Sequence, residues 1–158
     1  MKARGFTLIE LIVVLVILGI LAATAAPLFV DIKKDANKAV IQGVEASIRS
    51  AATMVHAKAL IQGKTGTAAA PADVDLDGNG TADIQVVEGY PEAEDLDLVL
   101  QLSSEGTAAS GADFDLTEAA AATTVDANKA TAAATCRVTY TEAAAGASPA
   151  ITTVFTGC

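Results

Sequence analysis

Residues 6–26, "FTLIELIVVLVILGILAATAA", decide most of what this chain can become. They are 21 almost wholly apolar residues, about 31 Å of helix at 1.5 Å per residue. That matches a bilayer core about 30 Å thick. A short basic lead, "MKARG", stands in front, with Lys2 and Arg4. A basic lead before an apolar run marks export and keeps the lead on the cytoplasmic side. One residue breaks the run. Glu10 carries a carboxylate into it, and an ionised group at the centre of a membrane helix costs roughly 2.5–3.5 kcal/mol. A charge kept there points to a function and to a partner. An ordinary signal peptide is the competing reading, with Ala23, Thr24 and Ala25 as its small-residue cleavage site. Its apolar region would be 7–15 residues long, shorter than this one.

The helical pattern continues past Pro27. Apolar residues recur at Ile32, Ala36, Val40, Val44, Ile48, Ala51, Val55 and Ala59, in steps of three and four. Gly63 and Gly66 supply a stop. The spacing predicts one helix from near Phe6 to Gln62, apolar all round in its first half and amphipathic in its second. Pro27 is expected to kink it or melt it locally, since proline lacks the N–H donor.

"GFTLIELIVVLVILGILAATAAP" resembles the N-terminus of type IV prepilins and of the related pseudopilins of type II secretion. The resemblance implies a leader of residues 1–5, cut after Gly5 by a prepilin peptidase. It also implies that Phe6 becomes the methylated N-terminus and that Glu10 is the fifth mature residue. It assigns Glu10 to assembly, its carboxylate meeting the Phe6 amine of a neighbouring subunit. Such a pairing is physically sound, because each charge is costly alone in an apolar layer. Within the family, "GFTLIE", "AAP" and "GYP" at Gly89–Pro91 are most similar to mannose-sensitive haemagglutinin pilins, which serve surface attachment.

Residues 63–158 leave room for one small head that borrows the amphipathic helix for its core. With four Phe, two Tyr and no Trp, that core must come from Val, Ile, Leu and Ala. Charge is divided unevenly. Residues 6–64 hold six Lys/Arg and four Asp/Glu, while residues 65–158 hold two and fifteen. So acidic a head argues against binding a nucleic-acid backbone. Thr81–Tyr90 reads as a strand and Pro91–Leu102 as a short helix with acids in its first turn. Asp113–Leu116 reads as a further short strand. Glu118–Thr135 mixes alanines with threonines, which pull in opposite directions, and has no assignment. Residues 136–158 read as a hairpin around a Gly/Ser/Pro turn. Its two ends are Cys136 and Cys158, the only cysteines, which suggest one disulfide in an exported chain. Pilins commonly close a C-terminal loop this way, and the resemblance agrees.

"DVDLDGNGTADI" carries a second pattern, D-x-D-x-N-G-x-x-D from Asp75. Oxygen ligands at alternating positions about a glycine turn are how short loops wrap calcium. The candidate ligands are Asp75, Asp77, Asn79 and Asp83, with Gly80 at the turn. The loop resembles the calcium loops of integrin-like propeller repeats. It departs from an EF-hand, because Ile84 and Val86 stand at the twelfth positions. The same residue types also make plain polar turns, and both readings stand. Three further signals lead nowhere. The glycine of a phosphate loop is replaced by Lys58 ahead of "GKT". "NGT" at Asn79 fits turn duty better than a glycosylation sequon. His56, the only histidine, reads as a surface or packing residue.

These readings converge on an α+β chain with the type IV pilin fold, a long N-terminal helix on a small antiparallel sheet. Its divisions are a leader 1–5, an apolar helix 6–30, an amphipathic helix 31–62 and a β-rich head 63–158. The expected function is structural rather than enzymatic. Subunits wait in the inner membrane, then assemble as a homo-oligomeric filament outside the cell and attach it to a host or abiotic surface. A pseudopilin or minor pilin of a type II secretion system is the first alternative. An exported soluble binding protein with an ordinary signal peptide is the second.

Overall fold

The computed structural model describes residues 6–100, 114–127 and 135–158. By internal contacts the chain divides into two units, Met1–Ala36 and Asn37–Cys158, each described here by itself. Helix α1 runs from Leu8 to Gln62. It does not break at Pro27, although proline leaves the Ala23 carbonyl without its helical donor.

In the first unit, Leu8–Ala25 is long and apolar enough to cross a membrane, and none of it is buried within the chain. Phe6 is 88% exposed, and Leu8, Ile9 and Leu11 through Leu18 lie open as well. Apolar surface of that extent must be covered by lipid or protein.

In the second unit, α1 buries Ile41, Ile48, Ala51, Ala52, Val55 and Ala59. The back of the expected stripe holds, and the front is corrected. Val40 is 48% exposed, while Ile41 is fully buried; Ile32, which belongs to the first unit, lies open there. The reason is geometric. Each step of four residues overshoots a 3.6-residue turn by roughly 40°. Two such steps carry Val40 off the face that Ile48 defines, whereas seven residues, nearly two turns, keep Ile41 on it. Helix α1 ends where the glycine predicts. Gly63, with φ of 68°, donates to Leu60 O, and Lys64 N donates to Ala59 O, a Schellman pair that satisfies the last carbonyls.

The described residues of this unit form two antiparallel sheets. Strands β1 (Ala72–Val74), β2 (Ile84–Val87) and β3 (Tyr90–Pro91) form one. Strands β4 (Phe114–Ala119), β5 (Ala122–Ala127), β6 (Arg137–Thr141) and β7 (Ala150–Val154) form the other, in sequence order. Between them a 3-10 turn at Ala93–Asp95 leads into the short helix α2, Leu96–Leu100. The Thr81–Tyr90 strand becomes β2 and β3, joined by a tight turn at Glu88 and Gly89 with φ of 53° and 79°. The expected C-terminal hairpin is β6 and β7. The unassigned 118–135 stretch supplies the end of β4 and all of β5, and its residues 128–134 lie outside the described ones.

Two cores follow. The larger gathers Ile41, Ile48, Leu96, Val125, Val138 and Tyr140 under the four-stranded sheet. The smaller packs Val55 and Ala59 against Val74, Ile84 and Val86. Buried polar groups tie the four-stranded sheet to β3 and the 3-10 turn. Tyr140 OH donates to Pro91 O at 2.7 Å, and Thr123 Oγ1 donates to Ala93 O. Burial pushes the Tyr140 phenol well above its ordinary pKa, so it stays a donor. Gly66, with φ of 62°, lies where an added Cβ would stand 2.3 Å from Val86 O and 2.7 Å from Ala72 N. Gly66→Ala is therefore expected to lose roughly 2–4 kcal/mol, read as a fall in melting temperature of the detergent-solubilised chain. An unchanged melt would show that this turn has slack.

Candidate functional site

The first site is the start of α1. Thr7 caps the helix, and Glu10 stands three residues on. Thr7 N donates to Glu10 Oε2 at 2.8 Å, and Thr7 Oγ1 donates to the same oxygen at 2.9 Å. Glu10 N returns a longer bond to Thr7 Oγ1 at 3.4 Å. This is a capping box, a threonine and a glutamate that satisfy each other's orphan donors. Sequence reasoning missed it, although T-x-x-E before an apolar run is its signature. Glu10 thus has a local duty before any neighbour arrives. Both Thr7 bonds fall on Oε2, and a carboxylate has about four lone-pair sites. Phe6 lies beside Thr7 and is open. Gly5, the predicted last leader residue, lies outside the described residues.

The second site is the loop from β1 to β2. One carboxylate oxygen each of Asp75, Asp77 and Asp83 lies within 4.8 Å of the others. Three like charges that close would repel, but backbone donors compensate them. Asp75 accepts from Gly78 N and Gly80 N at 2.6 and 2.7 Å. The Gly80 amide first, then the Gly78 amide, holds its carboxyl below the ordinary range. Asp83 Oδ2 accepts from Leu76 N at 2.7 Å and Asp77 N at 3.3 Å. Asp77 Oδ1 accepts from Asn79 N at 2.9 Å. Asn79 turns its own oxygen to Thr81 N and Thr81 Oγ1. So the structure gathers the three aspartates, and the fourth predicted ligand serves the turn. The donor set is hard oxygen, and oxygens across a calcium shell stand about 4.6–5.2 Å apart, so the cluster has the right size.

The third element is the clasp at the C-terminus. Cys136 and Cys158 form a disulfide with S–S of 2.05 Å, and both are buried. Asn37 Nδ2 donates to Cys158 O at 3.1 Å, tying the clasp to α1.

His56 is a packing residue. Its ring stacks on Tyr90 with centroids 4.1 Å apart, and its Nδ1 lies 3.2 Å from Gly89 O. The acidic head crowds its carboxylates around the 3-10 turn. Burial, then Glu142, Asp95 and Glu94, raises the Glu92 carboxyl, and burial with Asp97, Glu94 and Asp95 raises that of Glu118.

Comparison with known proteins agrees with this anatomy. Residues 1–26 match the prokaryotic N-terminal methylation motif. The type IV narrow pilus major component PilA5 of Thermus thermophilus is 50% identical over 64 residues, 40% of this chain and 52% of that protein. The chain thus spans about half the length of that relative. Two fimbrial proteins of Pseudomonas aeruginosa are each 38% identical over 124 residues, 71% of this chain and 77% of theirs. No solved structure matches. A methylation-type N-terminus, an apolar helix long enough to cross a membrane and a small disulfide-clasped sheet head are the marks of a pilin. The chain belongs to the type IV pilins.

Proposed function

We propose that this chain is the repeating structural subunit of a type IV pilus that attaches its cell to surfaces. One observation carries the reading. The apolar first part of α1 is uncovered along its length and is headed by a carboxylate. That arrangement suits a helix held first in the inner membrane and later in a filament core of identical helices. A prepilin peptidase removes residues 1–5 after Gly5 and the Phe6 amine is methylated. The amine then meets Glu10 of a neighbour, through lone pairs the Thr7 bonds leave open. The pair fixes register between subunits more than it adds stability. Mass spectrometry of the mature chain is expected to find Phe6 at its N-terminus, carrying one methyl group. A chain beginning near Ala26 would overturn the reading in favour of an ordinary signal peptide. Attachment is supported by the similarity of "GFTLIE" and "GYP" to attachment pilins, and loss of surface adhesion on deleting the chain tests it.

The close approach of Asp75, Asp77 and Asp83 favours a second role, a calcium-stabilised loop. Binding to the folded state alone stabilises by mass action, roughly 2.7 kcal/mol at a hundredfold excess over Kd. The full chain in detergent is expected to melt higher in millimolar calcium than in chelator. Asp77→Ala should abolish that difference. Coincident melts with and without calcium would reduce the loop to a polar turn.

A further inference from the structure

We propose that the free edge of β7 pairs with the β7 edge of a second copy of this chain, joining subunits of two separate pili. The inference rests on the pilus reading above. Strand edges are templates for further pairing, and proteins block them with charge, proline or cover. Among the described residues four strands lie at sheet edges, β1, β3, β4 and β7. Strand β1 is three residues long, contains Asp73, and has its Asp73 carbonyl taken by Lys64 Nζ at 2.6 Å. Strand β3 is two residues long, contains Pro91, and gives its Pro91 carbonyl to Tyr140 OH. Strand β4 carries Asp115 and Glu118. Strand β7, Ala-Ile-Thr-Thr-Val, has neither charge nor proline, and among the described residues no side chain bonds its backbone.

The register of the sheet says which β7 groups face outward. Between β5 and β6, Glu142 N donates to Ala121 O and Ala127 N donates to Cys136 O. Hydrogen-bonded pairs alternate in an antiparallel ladder. Val138 and Tyr140 therefore bond β5, and Arg137, Thr139 and Thr141 bond β7 through Val154, Thr152 and Ala150. The N–H and C=O groups of Ile151 and Thr153 are left pointing out.

Those two residues are self-complementary about Thr152. Placed antiparallel to itself with Thr152 opposite Thr152 of the second copy, β7 sets Ile151 opposite Thr153 twice. Each such pair exchanges two hydrogen bonds, and all five residues overlap. Shifting the centre to Ile151 would bring in Pro149, which has no N–H. Shifting it to Thr153 would need Phe155, which lies past the strand and under Lys38 at 5.5 Å. The chosen register also continues a pattern already present. Thr117, Thr124, Thr139 and Thr152 lie side by side across the four strands, and Thr124 Oγ1 and Thr139 Oγ1 are 3.3 Å apart. The joined sheet would carry this uncharged row across eight strands.

Pairing β7 with itself is a two-fold contact in which the same patch is used on both copies, whereas subunits repeat along a filament head to tail. The contact is therefore open to subunits of separate pili and not to neighbours within one.

Cysteine scanning on assembled pili tests the geometry. Thr152 opposite Thr152 is a non-hydrogen-bonded pair, with Cα atoms about 4.5 Å apart, within disulfide reach. Pili of Thr152→Cys are expected to give a disulfide-linked dimer on mild oxidation. Ala150→Cys and Val154→Cys face each other and not themselves. Each alone should give roughly ten-fold less dimer, and mixing the two kinds of pili should restore it. Thr117→Cys on β4 serves as the control edge. Normal pilus yield with monomeric Thr152→Cys, or equal dimer from Thr117→Cys, would overturn this inference and leave the pilus reading intact. Absence of pili from the unsubstituted chain would overturn that reading itself.

Discussion

Replacing Glu10 with alanine is expected to reduce assembled pili to about one per cent of normal or less. The cause is an unpaired Phe6 amine in an apolar core, since stripping one partner from a buried pair costs about 3–5 kcal/mol at each subunit. Membrane insertion and leader removal should persist, because losing a charge eases insertion. Glu10 also closes the capping box with Thr7, so alanine removes two interactions together. Glu10→Gln separates them. Its amide oxygen still accepts from Thr7 but carries no charge. A cap is worth roughly 0.5–2 kcal/mol. If Glu10→Gln assembles as poorly as Glu10→Ala, the charge pair is the essential part. Full assembly of Glu10→Gln, scored as sheared pili per cell, would leave the cap as the only role.

The second large effect concerns the clasp. Cys136→Ser and Cys158→Ser are each expected to cost the head about 3 kcal/mol, the entropy of a loop closed over a sequence separation of 22. For a unit of this size the melting temperature should fall by roughly 10 °C. Reductant should produce the same fall in the unsubstituted chain and none in either variant. Equal melts of all three would show that the buried packing of Cys136 and Cys158 suffices without the bond.

How legible this protein is from its residues varies along the chain. The apolar run, the stop at Gly63 and the C-terminal hairpin are each encoded locally, by composition or by a glycine, and each appears where expected. The β4–β5 hairpin is only partly so. Phe114–Leu116 of β4 falls in the strand expected at Asp113–Leu116, but the turn is Ala120 and Ala121, neither of which has a positive φ, and the rest of the two strands is mostly alanine, threonine and acid. Alanine's helical preference is overridden by Leu116, Val125 and Ala127 entering the core, a tertiary effect no local window contains. Strand β1 is invisible for a related reason, since three residues beside a proline carry no period. The aspartates of the loop were legible as a set, but Asn79's turn toward Thr81 was not, because an amide can serve either purpose.

The Thr7–Glu10 box has a consequence for how a subunit joins a growing filament. A helix whose first turn must form on docking loses backbone freedom at that moment, roughly 1–2 kcal/mol per residue fixed. Here the first turn is closed by the chain's own side chains before a neighbour is met. Preorganisation of this kind lowers the entropy lost on association. The binding energy of the apolar helix is then left for recognition and register, which favours the addition of subunits whose first turn is already set.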